Sequence, residues 1–152
     1  MKSLRFAAAC LAALFCTPAW AESLRVGDII IEQAWGRATM PSARTAAAYL
    51  TVRNTGTQPD RIVTMETPVA GHAMAHETLQ EGNVLKMQES GQLTVPPGGT
   101  LEMKPGGTHV MLMDLKGGLK VGQEFPLTIV FERAGTAKVP VKVGKPGAMG
   151  PE

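Results

Sequence analysis

Residues 106–115 read GGTHVMLMDL. After the two glycines, His109, Met111 and Met113 take every second position, with Val110 and Leu112 between them. In a β-strand successive side chains point to opposite faces, so the two sets separate. One face is aliphatic, as a core requires. The other carries one imidazole and two thioethers.

The same period recurs outward from this stretch. AAAYLTVRN sets Ala48, Leu50 and Val52 against Tyr49, Thr51 and Arg53, and EFPLTIVFER sets Phe125, Leu127, Ile129 and Phe131 against Thr128, Val130 and Glu132. AKVPVKV places Val139, Val141 and Val143 on one side, and its Pro140 suggests an edge strand. Further strands are expected near 28–34, 61–66, 72–78, 83–89, 93–95 and 100–103. The segments NTG, EGN, PPGG, KPGG and KGG between them are good turn chemistry. Many short strands with Gly/Pro turns and no helical period predict an all-β, single-domain Greek-key sandwich or barrel.

The amino terminus reads as an export signal. Lys2 and Arg5 form a charged region, Phe6 to Phe15 an apolar run, and Ala19-Trp20-Ala21 a cleavage site. That assigns 1–21 to a signal peptide, 22–144 to the β domain and 145–152 to a flexible tail. The apolar run is too short to span a bilayer, which predicts no stable membrane insertion. Phe15, rather than a small residue, precedes Cys16, which argues against a lipid-modified cysteine. Cleavage removes two of the 15 basic residues and leaves 13 against 13 acidic ones, so nothing suggests a nucleic-acid partner. It also removes Cys10 and Cys16, leaving neither disulfide nor thiolate in a compartment where disulfides form.

All three histidines lie within 38 residues. GHAMAHE brings His72, Met74 and His76 to one face if extended, VLKMQE adds Met87, and HVMLM adds His109, Met111 and Met113. Two histidine strands and one methionine strand could converge at one end of a sandwich. Neutral thioether sulfur favours Cu(I) over hard cations, while zinc sites favour Cys, His and carboxylate. A His/Met set also avoids thiolate oxidation and should release copper readily. Methionines on strands are more often core filler, the reading given to Met40, Met65 and Met103. Alternation alone supports His72 and Met74, and Met113 could either join the site or pack beneath it.

Spacing singles out four residues. Ten residues separate His76 from Met87, twenty-one separate Met87 from His109, and one separates His109 from Met111. This H-x10-M-x21-H-x-M pattern resembles the copper-binding signature of the periplasmic copper chaperone family PCu(A)C. The segments AWGRATMPSARTAAAYLTVRN and VPPGGTLEMKPGGTHVMLMDLK resemble its opening strands and ligand segment, and the likeness spans residues 28–143. Glu77 stands where the family often has methionine, and the tail offers Met149 but no histidine for a second, Cu(II) site.

The resemblance implies a cupredoxin-like β-barrel and a monomeric, non-enzymatic carrier in the periplasm. Its site would hold one Cu(I), with Cu(II) at most transient, through His76, Met87, His109 and Met111. The implied acceptor is the dinuclear copper centre of cytochrome c oxidase subunit II, or a thioredoxin-like copper protein. A blue-copper electron carrier needs a cysteine thiolate that the exported chain lacks. An enzyme reading finds no Ser/His/Asp arrangement and no histidine at the expected new terminus. The alternative is a metal-free exported sandwich serving adhesion or interaction, with its methionines as filler.

Overall fold

The computed structural model describes residues 22–152, so the expected export signal and both cysteines lie outside the described residues. The strands are β1 (Leu24–Val26), β2 (Ile29–Arg37), β3 (Thr45–Asn54), β4 (Asp60–Glu66), β5 (Ala70–Glu81), β6 (Val84–Glu89), β7 (Thr94–Val95), β8 (Thr100–Glu102), β9 (His109–Leu115), β10 (Glu124–Phe131) and β11 (Gly135–Gly144). Among the described residues none is helical, so no helix is long and apolar enough to cross a membrane.

Seven strands close on themselves in the order β2-β11-β10-β4-β5-β9-β3, because β3 also pairs with β2. Closure removes the open edges that a sheet of this size would otherwise expose. β1, β6, β7 and β8 extend from β2, β5, β4 and β3. The barrel interior takes the aliphatic sets that alternation had separated. Ala48, Leu50 and Val52 meet Val110, Leu112, Leu127 and Ile129 there, each at most 1% exposed. Burying a side chain of this size contributes about 1.5–3 kcal/mol.

Several expectations need correcting. β11 is no edge strand: it lies between β10 and β2. It meets β2 in parallel only over Lys142–Gly144, so Pro140 falls short of that ladder, and on the β10 side it faces Pro126. The two missing N–H donors therefore share one rung. Met65 and Met103 are core, but Met40 sits in a turn and is exposed. Residues after Gly144 run back along the barrel in this structure. Arg37 donates from Nε to the Ala148 carbonyl at 2.7 Å, and the Lys145 amide donates to the Glu152 carboxylate at 3.1 Å.

One irregularity shapes the outer surface. Between Glu32 and Trp35, β2 carries an extra residue relative to Thr51–Tyr49 of β3, with Gln33 in the left-handed region at φ 55°. A bulge of this kind reverses the alternation beyond it. Ile31 thus points into the barrel, while Trp35 lies against Tyr49 with ring centroids 4.5 Å apart.

Candidate metal centre

β5 and β9 pair in antiparallel register, and three rungs in succession carry soft-metal donors: His76 opposite His109, Met74 opposite Met111, and His72 opposite Met113. Directly opposed residues share a face. Val110 and Leu112 line the core, so this ladder stands on the outside of the barrel. The histidine and methionine strands are therefore neighbours in one sheet, rather than meeting at one end of a sandwich.

The upper rung is the most enclosed. His109 is only 4% exposed. Tyr49 lies beside it with centroids 6.5 Å apart, and His76 on the other flank at 6.2 Å. The Arg37 guanidinium sits 5.7 Å above the Tyr49 ring. Burial pushes the Tyr49 phenol above its ordinary pKa, an effect that Arg37 partly opposes.

The hydrogen bonds of this rung are incomplete. His109 Nδ1 lies 2.9 Å from the Gly107 carbonyl, which can only accept, so Nδ1 carries the proton and Nε2 keeps a free lone pair. Among the described residues, three buried side-chain polar atoms have no hydrogen-bond partner: His109 Nε2, His76 Nδ1 and Ser90 Oγ. Ser90 is tied to the same place, since its amide donates to the Ala75 carbonyl at 3.0 Å. Buried polar atoms are normally satisfied, so three orphans around one rung call for a ligand. Two imidazoles sharing one ion through bonds of about 2 Å place their centroids about 5–6.5 Å apart, depending on the angle at the ion. The observed 6.2 Å fits.

Around this pair the structure sorts the remaining candidates. Met111 stands one rung below, half-buried on the same face. Met87 pairs with Thr78 on the β5–β6 hairpin, on the side of His76 away from Met111, and is 62% exposed. Met74, which alternation alone had suggested, faces Met111. Tyr49, Trp35 and Ser90 escaped the reading of the sequence. The aromatic pair depends on a bulge, and Ser90 on the loop that leaves β6 beside Ala75, and neither leaves a periodic trace. Among the described residues no three His, Cys, Asp or Glu side chains converge. Met111 and Met74, on the next rung of the same face, bring thioether sulfur near this pair, a donor type that suits a soft cation.

Comparison with known proteins places the chain. Residues 29–143 match the family described as "LpqE-like: Putative lipoprotein LpqE-like". The chain is 31% identical over 114 residues to "Putative lipoprotein Lxx21020" of Leifsonia xyli subsp. xyli, spanning 74% of this chain and 68% of that one. The chain belongs to the LpqE-like family. Among solved structures it is similar to the apo PmoF2 PCuAC domain, at 29% identity and TM-score 0.71, over 85% of this chain and 99% of that one. It also resembles the copper-bound PCuAC domain from PmoF2, with 29% identity, TM-score 0.70, and 82% and 99% coverage. The solution structure of CuI-DR1885 from Deinococcus radiodurans matches at 36% identity and TM-score 0.61, over 82% and 81%. The fold is thus the cupredoxin-like β-barrel of PCuAC domains.

Proposed function

We propose that this protein is a periplasmic copper chaperone of the PCu(A)C type, a non-enzymatic carrier that binds one Cu(I) and hands it to an acceptor. His109 Nε2 and His76 Nδ1 form the fixed imidazole pair, and Met111 and Met87 supply the thioethers. The observation that carries this reading is the pair of buried, unpartnered imidazole nitrogens on two rings whose centroids lie 6.2 Å apart across β5 and β9. The likeness to a copper-bound PCuAC domain and to CuI-DR1885 supports it.

The parts of the site have separate tasks. Gly107 holds His109 in the tautomer that leaves Nε2 as donor, a device that orients metal-binding histidines generally. Tyr49 and Trp35 back the ring and exclude water from that flank. Met87, exposed on its hairpin, offers the donor that an incoming protein can displace first. Ligand exchange can then proceed without opening the core. The site is neutral, so reduced cysteines on an acceptor offer softer, charged ligands and draw copper away without an energy source. Such an acceptor is the dinuclear copper centre of cytochrome c oxidase subunit II, or a thioredoxin-like copper protein.

Anaerobic Cu(I) titration against a competing chelator, with X-ray absorption of the loaded protein, tests the proposal. The expected result is tight binding with both nitrogen and sulfur scattering. A first shell without sulfur, or zinc displacing Cu(I) at equal concentration, overturns it.

A further inference from the structure

Below the imidazole rung the ladder continues with donors that the proposed chaperone site does not use. His72 and Met113 face each other on the lowest rung, and Met74 follows two residues along β5 on the same face. Opposed side chains start about 5 Å apart and successive same-face residues about 7 Å. The three donors therefore bound a triangle that one ion can fill. The rung lies four residues, roughly 13 Å, from His76 and His109, too far for one ion to serve both.

Three observations set this triangle apart from ordinary surface. Met74 and Met113 are half-buried on the outer face, in contrast to Met65 and Met103, which fill the core, so they are not packing material for the interior. On the β3 side Thr45 pairs with Met113 and Ala47 with Met111, and both are too short to cover thioethers. On the other side β4 and β5 are bridged only at Met65 and Ala73. The strands part there around a cleft of about 440 Å³, lined in part by His72 and Met74. An ion can reach the triangle through this opening.

His72 is also held near a carboxylate. Asp114, left-handed at φ 54°, pairs with Arg44 at 3.3 Å and lies 3.9 Å from His72 Nε2.

We infer that His72, Met74 and Met113 form a second, weaker Cu(I) site on the cleft side of the ladder. The middle rung, Met74 and Met111, makes it continuous with the first. One imidazole and two thioethers suit a three-coordinate cuprous ion and offer little to a hard cation. Copper held there is more exposed and stages at the foot of the ladder, where transfer to His76 and His109 proceeds by exchange of thioethers. This inference rests on the proposed copper function.

The test uses the protein as exported by an expression host, titrated with Cu(I) under anaerobic conditions and followed through its methionine methyl resonances. Two equivalents should bind. The second should be weaker by about tenfold or more, because it has one imidazole instead of two. The Met113 methyl should move only in that second step. His72→Ala combined with Met113→Leu should abolish the second step and leave the first unchanged; His72→Gln alone, a milder change, should weaken the second. A single equivalent in the wild type refutes this inference and leaves the chaperone reading intact. No binding at all refutes both. A second step that survives in the double variant, or a Met113 methyl that does not move with it, also overturns the assignment.

Discussion

A buried nitrogen without a partner should make the metal-free protein less stable than it could be, and His109→Leu exposes that cost. His109 is 4% exposed and its Nε2 has no hydrogen-bond partner, a defect worth about 1–3 kcal/mol. Leucine has similar volume and carries no polar atom. It also removes the bond from Nδ1 to the Gly107 carbonyl, worth about 1 kcal/mol. The balance leaves the metal-free variant between equal in stability and about 2 kcal/mol more stable. For a domain of this size each kcal/mol moves Tm by about 4 °C, so the variant should melt between zero and about 8 °C above the wild type. Replacing a buried side chain ordinarily has the opposite sign, by about 1 kcal/mol. With free Cu(I) at about 100 times Kd, the wild type gains about 2.7 kcal/mol, roughly 10 °C, and the order reverses. Calorimetric melts of both proteins, with and without Cu(I), measure all four states. A metal-free variant more than about 8 °C below the wild type would show that the ring is structural. An undiminished copper shift in the variant would show that Nε2 is no ligand.

Neighbouring residues on β9 should respond oppositely. Leu112→Ala, fully buried, should cost about 2–5 kcal/mol in a denaturant melt and spare copper affinity in the protein that remains folded, whereas Met111→Ala should weaken Cu(I) binding with little change in stability. Burial raises the Tyr49 pKa, so the folded state keeps the phenol proton after the unfolded state has lost it; stability should be intact below about pH 10 and fall as pH rises beyond it. Tyr49→Phe should flatten that fall in melts between pH 9 and pH 11, the range that brackets ordinary tyrosine ionisation near ~10. Asp60, buried, accepts the amides of Arg61, Arg133 and Ala134 at 2.8–2.9 Å, so Asp60→Ala should cost about 3 kcal/mol or more in urea unfolding while leaving Cu(I) affinity unchanged. Gln33→Gly should raise Tm slightly, because glycine adopts φ 55° without strain and gains about 1 kcal/mol there.

Strand period is a covalent property of extended backbone, and it could be read directly. It separated Val110 and Leu112 from His109, Met111 and Met113, identified the buried faces of β3 and β10, and indicated an all-β domain before any contact was known. What it could not supply was register between strands distant in the chain. That His76 meets His109, and Met74 meets Met111, is decided by how β5 and β9 slide to bury Ala75 against Val110 and Leu112, a non-local balance of core packing. The same holds for Met40 and Met65, similar in sequence context but sorted to surface and core by barrel closure, and for Pro140, which only the short β11–β2 ladder allows inside the sheet. Gln33 shows the limit most clearly. A single extra residue reverses the alternation of β2 and sets Trp35 against Tyr49 behind His109, because pairing with β3 outweighs the strain of one left-handed residue.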